Sequence, residues 1–177
     1  AAREIGILLG EPGAARGYPP SALATITKLV ERAGNSTESG GSITGIYTVL
    51  ADGDDQNDPV VDTARSILDG HIVLSRDLAQ RGQYPAIDVG ASLSRVMSDV
   101  AGAPQNALAR KLRALVSAYE GNRDLLLMGA YRAGADPLID RGIALHPQIT
   151  EFLKQDVGER VSLDLAVGQL QQLIGDE

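Results

Sequence analysis

The stretch that decides the fold is GSITGIYTVLADGDDQNDPVVDTARSILDGHIVLS, residues 41–75. It opens with a short run rich in β-branched residues, over 42–51, which is typical of a buried strand. After a polar, aspartate-rich segment, Asp58 and Pro59 form the signature of a helix N-cap with proline in the first turn. The apolar run at 71–75 predicts a second strand. Strand, helix and strand in alternation predict an α/β fold with a parallel sheet.

The flanking segments are predicted to be mainly helical. Upstream, apolar residues at helical spacing predict a helix that stops at Gly10, and a second helix starts at Pro20 and ends before Gly34. Downstream, a short helix is expected over 76–81, and residues 82–97 look extended and rich in loops.

From Gln105 onward the pattern predicts helices alone. An amphipathic helix carries Leu108 to Tyr119, and a helix over 136–145 is separated from one over 147–155 by a turn at Pro147 that leaves His146 exposed. A last helix begins at the N-cap Ser162. We therefore predict an α/β domain over residues 1–103 and an all-α domain over residues 104–177.

The amino-acid composition argues against several classes of chemistry and of partner. The chain has 177 residues, a net charge of −7, no Cys and two His, which argues against disulfides, thiolate chemistry and a His-rich metal centre. The acidic balance argues against a nucleic-acid partner. Two predicted strands do not make a stable sheet. Because the chain also starts without Met inside an apolar periodic segment, we expect the α/β part to be the later half of a larger sheet.

Several runs of sequence together resemble one family. They are GEPGAARGYPPS (10–21), LVERAGN (29–35), residues 41–59, ARSILDGHIVLSRDLA (64–79) and YPAIDVGASLSRVM (84–97). They look like the C-terminal part of the type III protein-export ATPases, a family similar to the catalytic beta subunit of rotary ATP synthases. The runs GYPPS and DDQNDP resemble its flagellar members more than its injectisome members, which remain the alternative.

The resemblance implies a fold, and it implies that part of the nucleotide-binding site is not in this sequence. It implies the C-terminal part of a RecA-like parallel-sheet core followed by a C-terminal helical domain. The phosphate-binding motif GxxxxGK[ST] is absent from the sequence. By resemblance, that P-loop and the residues associated with Mg²⁺ lie upstream, so ATP with Mg²⁺ is the expected cofactor, no metal ligand is expected here, and this chain alone is not expected to hydrolyse ATP.

Two positions are implied to act on the nucleotide. Arg95, in GASLSRVM, matches the arginine finger that reaches the γ-phosphate bound by a neighbouring subunit, where a permanently protonated fork stabilises the transferring phosphoryl group. Tyr84 matches the tyrosine on which the family stacks the adenine ring. The alternatives are a solvated or capping Arg95 and a Tyr84 that only anchors its loop.

Other positions carry weaker implications. Phe152 matches a second wall of the adenine pocket, although Leu153 matches equally well and core packing is the alternative. The aspartate-rich loop, with Asp54, Asp55 and Asp58, matches a loop that faces the pore of the ring and contacts a stalk protein; a solvated turn is the alternative. Arg16, in the other pore-side loop, is implied to meet an acidic partner.

The resemblance also implies an assembly and a role. A ring of identical subunits, a hexamer, would hydrolyse ATP at subunit interfaces to release or unfold export substrates. The expected partners are the stalk protein, a regulatory ATPase-binding protein, and export chaperones with their substrates. The expected location is the cytoplasm, with peripheral contact to the membrane export apparatus at the inner-membrane export gate. The alternative from another class is a non-catalytic helical docking module for chaperones and the stalk protein, formed by residues 104–177.

Overall fold

The computed structural model describes residues 1–13, 15–37, 40–51, 53, 55 and 57–175. Its contacts divide the chain into two compact units, Ala1–Asp69 and Gly70–Glu177. The elements, in chain order, are α1 (Ala2–Leu8), α2 (Pro20–Val30), β1 (Gly34–Asn35), β2 (Ser42–Ile43), α3 (Pro59–Ile67), β3 (Gly70–Leu74), α4 (Arg76–Gln80), β4 (Ile87–Ser94), α5 (Met97–Val100), α6 (Ala103–Leu127), α7 (Pro137–Phe152) and α8 (Leu163–Ile174), with a 3₁₀ turn at Ala15–Gly17.

Helix starts follow the predicted capping signals. The Asp58 side chain accepts from the backbone N–H groups of Val60 and Val61, and the Ser162 side chain accepts from that of Leu165, so both predicted N-caps are confirmed. These side chains supply acceptors to N–H groups that have no partner within the helix. Gly10, at φ 78°, follows α1 in the left-handed region, where a residue without a Cβ is favoured.

The strands differ from the prediction. Of the run predicted as a strand over 42–51, only Ser42–Ile43 is extended in a ladder, and Ile46 and Leu50 are exposed. The strand pairs described, β1 with β2 and β3 with β4, are both antiparallel, so the parallel pairing is not found among them. A buried parallel strand needs neighbours and helical cover on both faces, and the described residues supply neither to 44–50.

The antiparallel pair of β3 and β4, called the hairpin below, was predicted only in part: β3 confirms the strand predicted at 71–75, whereas β4 was not predicted. Residues 87–94 form a strand of eight residues within the segment that we expected to be loop-rich. Its sequence, IDVGASLS, has no regular alternation of apolar and polar residues because Gly90 and Ala91 interrupt it, and its half-buried and exposed residues do not alternate strictly.

The second unit has its core between α6, α7 and α8. The fully packed residues are apolar and come from all three helices: Leu108, Leu112, Leu115, Ile149, Leu170 and Ile174. The turn predicted at Pro147 is wrong, since α7 runs through it. Burying Ile149 against α6 and α8 offsets the cost of an internal proline, about 3 kcal/mol.

α6 and α7 cross closely at one glycine. Gly142 is buried, and a Cβ built on it would lie 2.9 Å from the backbone oxygen of Leu115 in α6. Only a residue without a side chain therefore allows the two helices to approach this far.

Candidate functional site

Arg95 directly follows β4, so the end of that strand fixes the base of its side chain. Gly70 pairs with Ser94 and His71 with Leu93, which keeps the hairpin in register up to the residue before Arg95. The Arg95 side chain is exposed. An exposed guanidinium that directly follows a paired strand is suited to contacting an anion on another molecule.

β4 is irregular just before that end. β3 takes two steps from His71 to Val73 while β4 takes five from Asp88 to Leu93, so the ladder is interrupted there. The Asp88 carboxylate accepts a hydrogen bond of 2.9 Å from the backbone N–H of Ala91. Side chains thus replace ladder partners that the irregularity removes.

Within this irregular stretch, Ser92 connects β4 both to β3 and to α6. Its hydroxyl accepts from the backbone N–H of Val73 at 3.0 Å, and its carbonyl accepts from Nη1 of Arg113, on α6, at 2.9 Å. On β3, the backbone of Gly70 packs tightly against β4, because a Cβ there would lie 2.6 Å from the Leu93 carbonyl oxygen. Sequence reasoning missed Arg113, which no local pattern connects to a residue 21 positions away.

Tyr84 lies in the loop between α4 and β4, with its side chain 59% exposed and its peptide bond to Pro85 cis. The Tyr84 carbonyl accepts from the backbone N–H of Gln155 at 2.9 Å. The structure therefore brings the loop of Tyr84 to the segment that follows α7.

Phe152 is the last residue of α7 and Leu153 is its C-cap, so both lie just before that segment. Both are partly buried and pack against the helical core. Leu153 also lines a cleft of about 550 Å³, whereas Tyr84 and Phe152 are not among the residues that line it. Phe152 thus makes the core contacts of the packing alternative, and its role as a wall of the adenine pocket stays a prediction.

The walls of this cleft are charged. Arg81 pairs with Asp77 and lies 3.8 Å from a carboxylate oxygen of Glu120 on α6. Since Arg81 follows α4 and Glu120 belongs to α6, the pair joins the hairpin segment to the helical core.

His146 stacks on Tyr119 in the same cleft, with ring centroids 3.6 Å apart and an angle of 11° between the planes. Burial lowers the pKa of His146, Glu120 opposes that shift, and Arg81 and Arg123 add to it. The neutral imidazole is therefore the favoured form, because desolvation penalises the charged one.

In the first unit Arg16 bridges two loops. Its guanidinium pairs with Asp55 and lies 3.9 Å from a carboxylate oxygen of Asp58. A backbone N–H of Asn57, and then Arg16, lower the pKa of Asp55. Asp58 is only 6% exposed and also caps α3, and Asp54 lies outside the described residues.

Two further features of the described residues concern metal sites and membrane-spanning helices. Within the described ranges, no group of three or more His, Asp or Glu is placed to hold a metal ion. Among the helices of the same ranges, none is long and apolar enough to cross a membrane.

Comparison with protein families defines the class of protein. Residues 1–94 match the model of the ATP synthase alpha/beta family, nucleotide-binding domain, and residues 101–172 match that of the T3SS EscN ATPase C-terminal domain. The chain therefore belongs to the ATP synthase alpha/beta family, in the group of the flagellum-specific and type III secretion ATPases.

Individual relatives point to the same group. The chain is 54% identical to the flagellum-specific ATP synthase of Salmonella typhimurium over 90% of its own length, and 52% identical to that of Pseudomonas aeruginosa over 98%. It is 51% identical to the type 3 secretion system ATPase of Pseudomonas syringae pv. syringae over 98%. It spans 35%, 39% and 38% of the lengths of these three relatives.

Solved structures confirm the predicted fold class, a nucleotide-binding domain with a helical domain. The assembled ATPase EscN of the enteropathogenic E. coli type III secretion system matches 97% of this chain and 41% of its own, with 41% identity and a TM-score of 0.89. EscN in complex with its central stalk EscO matches 97% of this chain and 40% of its own, with 39% identity and a TM-score of 0.82.

Proposed function

We propose that the full-length protein containing this chain is an ATP hydrolase that powers flagellar type III protein export. It is supported by relatives named flagellum-specific ATP synthase and type 3 secretion system ATPase, at 54% and 51% identity. The runs GYPPS and DDQNDP favour the flagellar system, and the injectisome remains the alternative. The expected work is the release or unfolding of export substrates brought by chaperones.

The observation that carries the proposal is the position of Arg95. Its side chain is exposed and follows directly on a strand that is paired through Ser94. A guanidinium held this way acts on a phosphate bound by the next subunit, where it stabilises negative charge as the γ-phosphoryl group transfers. The hydrolytic site then lies between subunits, which requires an oligomer in which Arg95 of one subunit meets the nucleotide of the next.

The chain's own residues divide the work at that interface. Arg95 serves the neighbour's nucleotide, while Tyr84 offers an exposed aromatic face to the adenine of the subunit's own nucleotide, with Phe152 a weaker second wall. ATP and Mg²⁺ would be held mainly by a P-loop and acidic residues outside this chain. The domain boundary that we propose separates residues 1–103 from 104–177.

The loops of the first unit are proposed to face the pore of the ring. Arg16, Asp54, Asp55 and Asp58 are the residues concerned, with Asp58 as the buried support of α3 and Arg16 already joined to Asp55. EscN assembles and also forms a complex with a central stalk, which supports a homo-oligomeric ring, a hexamer, with a stalk partner here. A regulatory ATPase-binding protein is a further proposed partner, and the proposed location is cytoplasmic, at the membrane export gate.

The test is Arg95→Ala in the full-length protein, with the exposed Arg160→Ala as the control for loss of one positive charge. Because an arginine finger contributes about 10³- to 10⁵-fold, we expect kcat to fall at least about 10³-fold while nucleotide affinity changes little. Arg160→Ala should retain full turnover. Unchanged kcat in Arg95→Ala rings of normal size would refute the assignment.

A mixed-ring experiment tests whether the arginine acts between subunits. Arg95→Ala subunits are combined with subunits whose P-loop has been inactivated, so that neither parent hydrolyses ATP alone. Some interfaces in the mixture join an intact P-loop to an intact Arg95, and turnover should reappear. Mixtures that stay inactive, although they assemble, would show that Arg95 does not act in trans.

A further inference from the structure

We infer that Arg113 is a positioning residue, which anchors the end of β4 to helix α6 and thereby sets the geometry of Arg95. The inference rests on the proposed role of Arg95. It identifies the contact through which the helical domain acts on the nucleotide interface.

The anchor is placed where the hairpin cannot support itself. Between Asp88 and Leu93, β4 leaves the regular ladder, so its backbone there depends on other partners. Nη1 of Arg113 reaches the Ser92 carbonyl at 2.9 Å, inside this irregular stretch. A hydrogen bond from a charged donor to a half-buried carbonyl is among the stronger kinds in proteins.

The base of the anchor is rigid. Arg113 stands next to Leu112 and two positions before Leu115, both of which are buried in the helical core. The backbone of α6 at this point therefore moves with the core as one body. Because α6 is fixed within the core, any movement of the core also moves Arg113, and its hydrogen bond transmits that movement to the Ser92 carbonyl.

The distance from the anchor to Arg95 is short. Arg95 comes three positions after Ser92, so at most about 10 Å of extended chain separates them. Leu93 and Ser94 between them are paired with β3, and Gly70 packs against the Leu93 carbonyl without room for a Cβ. With the strand held on both sides, a shift of α6 moves the base of Arg95.

The experiment compares Arg113→Ala with Arg110→Ala in the full-length ATPase. Arg110 is exposed on the same helix, three residues earlier, and provides the matched loss of charge. A misplacement of about 1 Å can cost 10²-fold in rate, so we expect kcat to fall roughly 10- to 100-fold in Arg113→Ala with KM for ATP nearly unchanged. Arg113→Lys, which retains a charged donor group but not the guanidinium, should recover part of the loss.

A double variant separates positioning from general damage. If Arg113 acts through Arg95, adding Arg113→Ala to Arg95→Ala should lower kcat no further. Multiplied losses would overturn the inference, as would wild-type kcat in Arg113→Ala or an equal loss in Arg110→Ala.

Hydrogen exchange distinguishes failure of the inference from failure of the proposed function. In Arg113→Ala, the backbone amides of residues 93–97 should exchange faster than in Arg110→Ala. If Arg95→Ala retains full turnover, the arginine finger is refuted, and faster exchange would still support the anchor. Unchanged exchange at 93–97 would overturn the anchor whatever the kinetics.

Discussion

Replacing Gly142 by Ala tests the closest contact between α6 and α7. The added Cβ would lie 2.9 Å from the Leu115 carbonyl oxygen, 3.6 Å from Tyr119 N and 3.8 Å from the Ala118 Cβ. The first of these atoms belongs to the backbone of α6, which cannot turn away as a side chain can. The helices must therefore separate by a few tenths of an ångström, at the expense of packing around Ile149.

Two effects of opposite sign set the magnitude. Overpacking of this kind costs about 1–3 kcal/mol. Alanine in place of glycine inside a helix returns about 1 kcal/mol. The net expectation is a destabilisation of about 1 kcal/mol, with an upper limit of about 2.

The assay is urea unfolding followed by far-UV circular dichroism. With a slope of about 1–3 kcal/mol per molar urea, a loss of about 1 kcal/mol should lower the midpoint by roughly 0.3–1 M. Gly168→Ala is the matched control, since Gly168 lies in α8 with no atom within 4 Å of the added Cβ, and its midpoint should rise. A midpoint for Gly142→Ala that rises like the control would refute the close crossing.

Two further predictions concern a helix cap and a histidine. Asp58→Ala should destabilise the first unit by about 1–2 kcal/mol through loss of the α3 cap. Asp58→Asn keeps an acceptor for the Val60 N–H and should cost less. Equal midpoints in urea for the two variants would contradict this. Burial depresses the pKa of His146 in the folded protein below its ordinary value of 6.5. The contribution of the neutral His146 to folding stability is therefore complete above pH 6.5, and it is lost as the pH falls through the lower folded pKa. Urea midpoints of the second unit should therefore fall between pH 7.5 and 5.5, and His146→Gln should show less of this dependence.

Local signals in the sequence were reliable, and the reason is physical. A cap is settled by a side chain and the N–H groups two or three residues later, so Asp58 and Ser162 could be identified from sequence alone. The class of fold could also be predicted, because several motifs over the whole chain resemble one family, and the family comparisons confirm it.

What could not be predicted depends on residues far apart in the sequence. The run at 44–50 has strand-forming residues, yet a strand exists only where another strand accepts its hydrogen bonds. Pro147 signals a helix end, and packing of Ile149 overrides it. The Arg113 contact with Ser92 has no sequence signal, since an arginine on a helix is usually solvated.

In the second unit, α6 has two separable roles: it packs in the helical core, and it contacts β4 through Arg113. The Gly142→Ala and Arg113→Ala variants distinguish these roles. Helix α6 meets α7 at Gly142, contributes three leucines to the core, and reaches the hairpin through Arg113 and Glu120. Damage at Gly142 weakens the core, so it should lower the urea midpoint while leaving kcat intact at temperatures where the protein stays folded. Damage at Arg113 loosens only the end of β4, so it should lower kcat with little change in midpoint. If both variants lose stability and turnover in the same proportion, α6 acts on Arg95 only by keeping the protein folded.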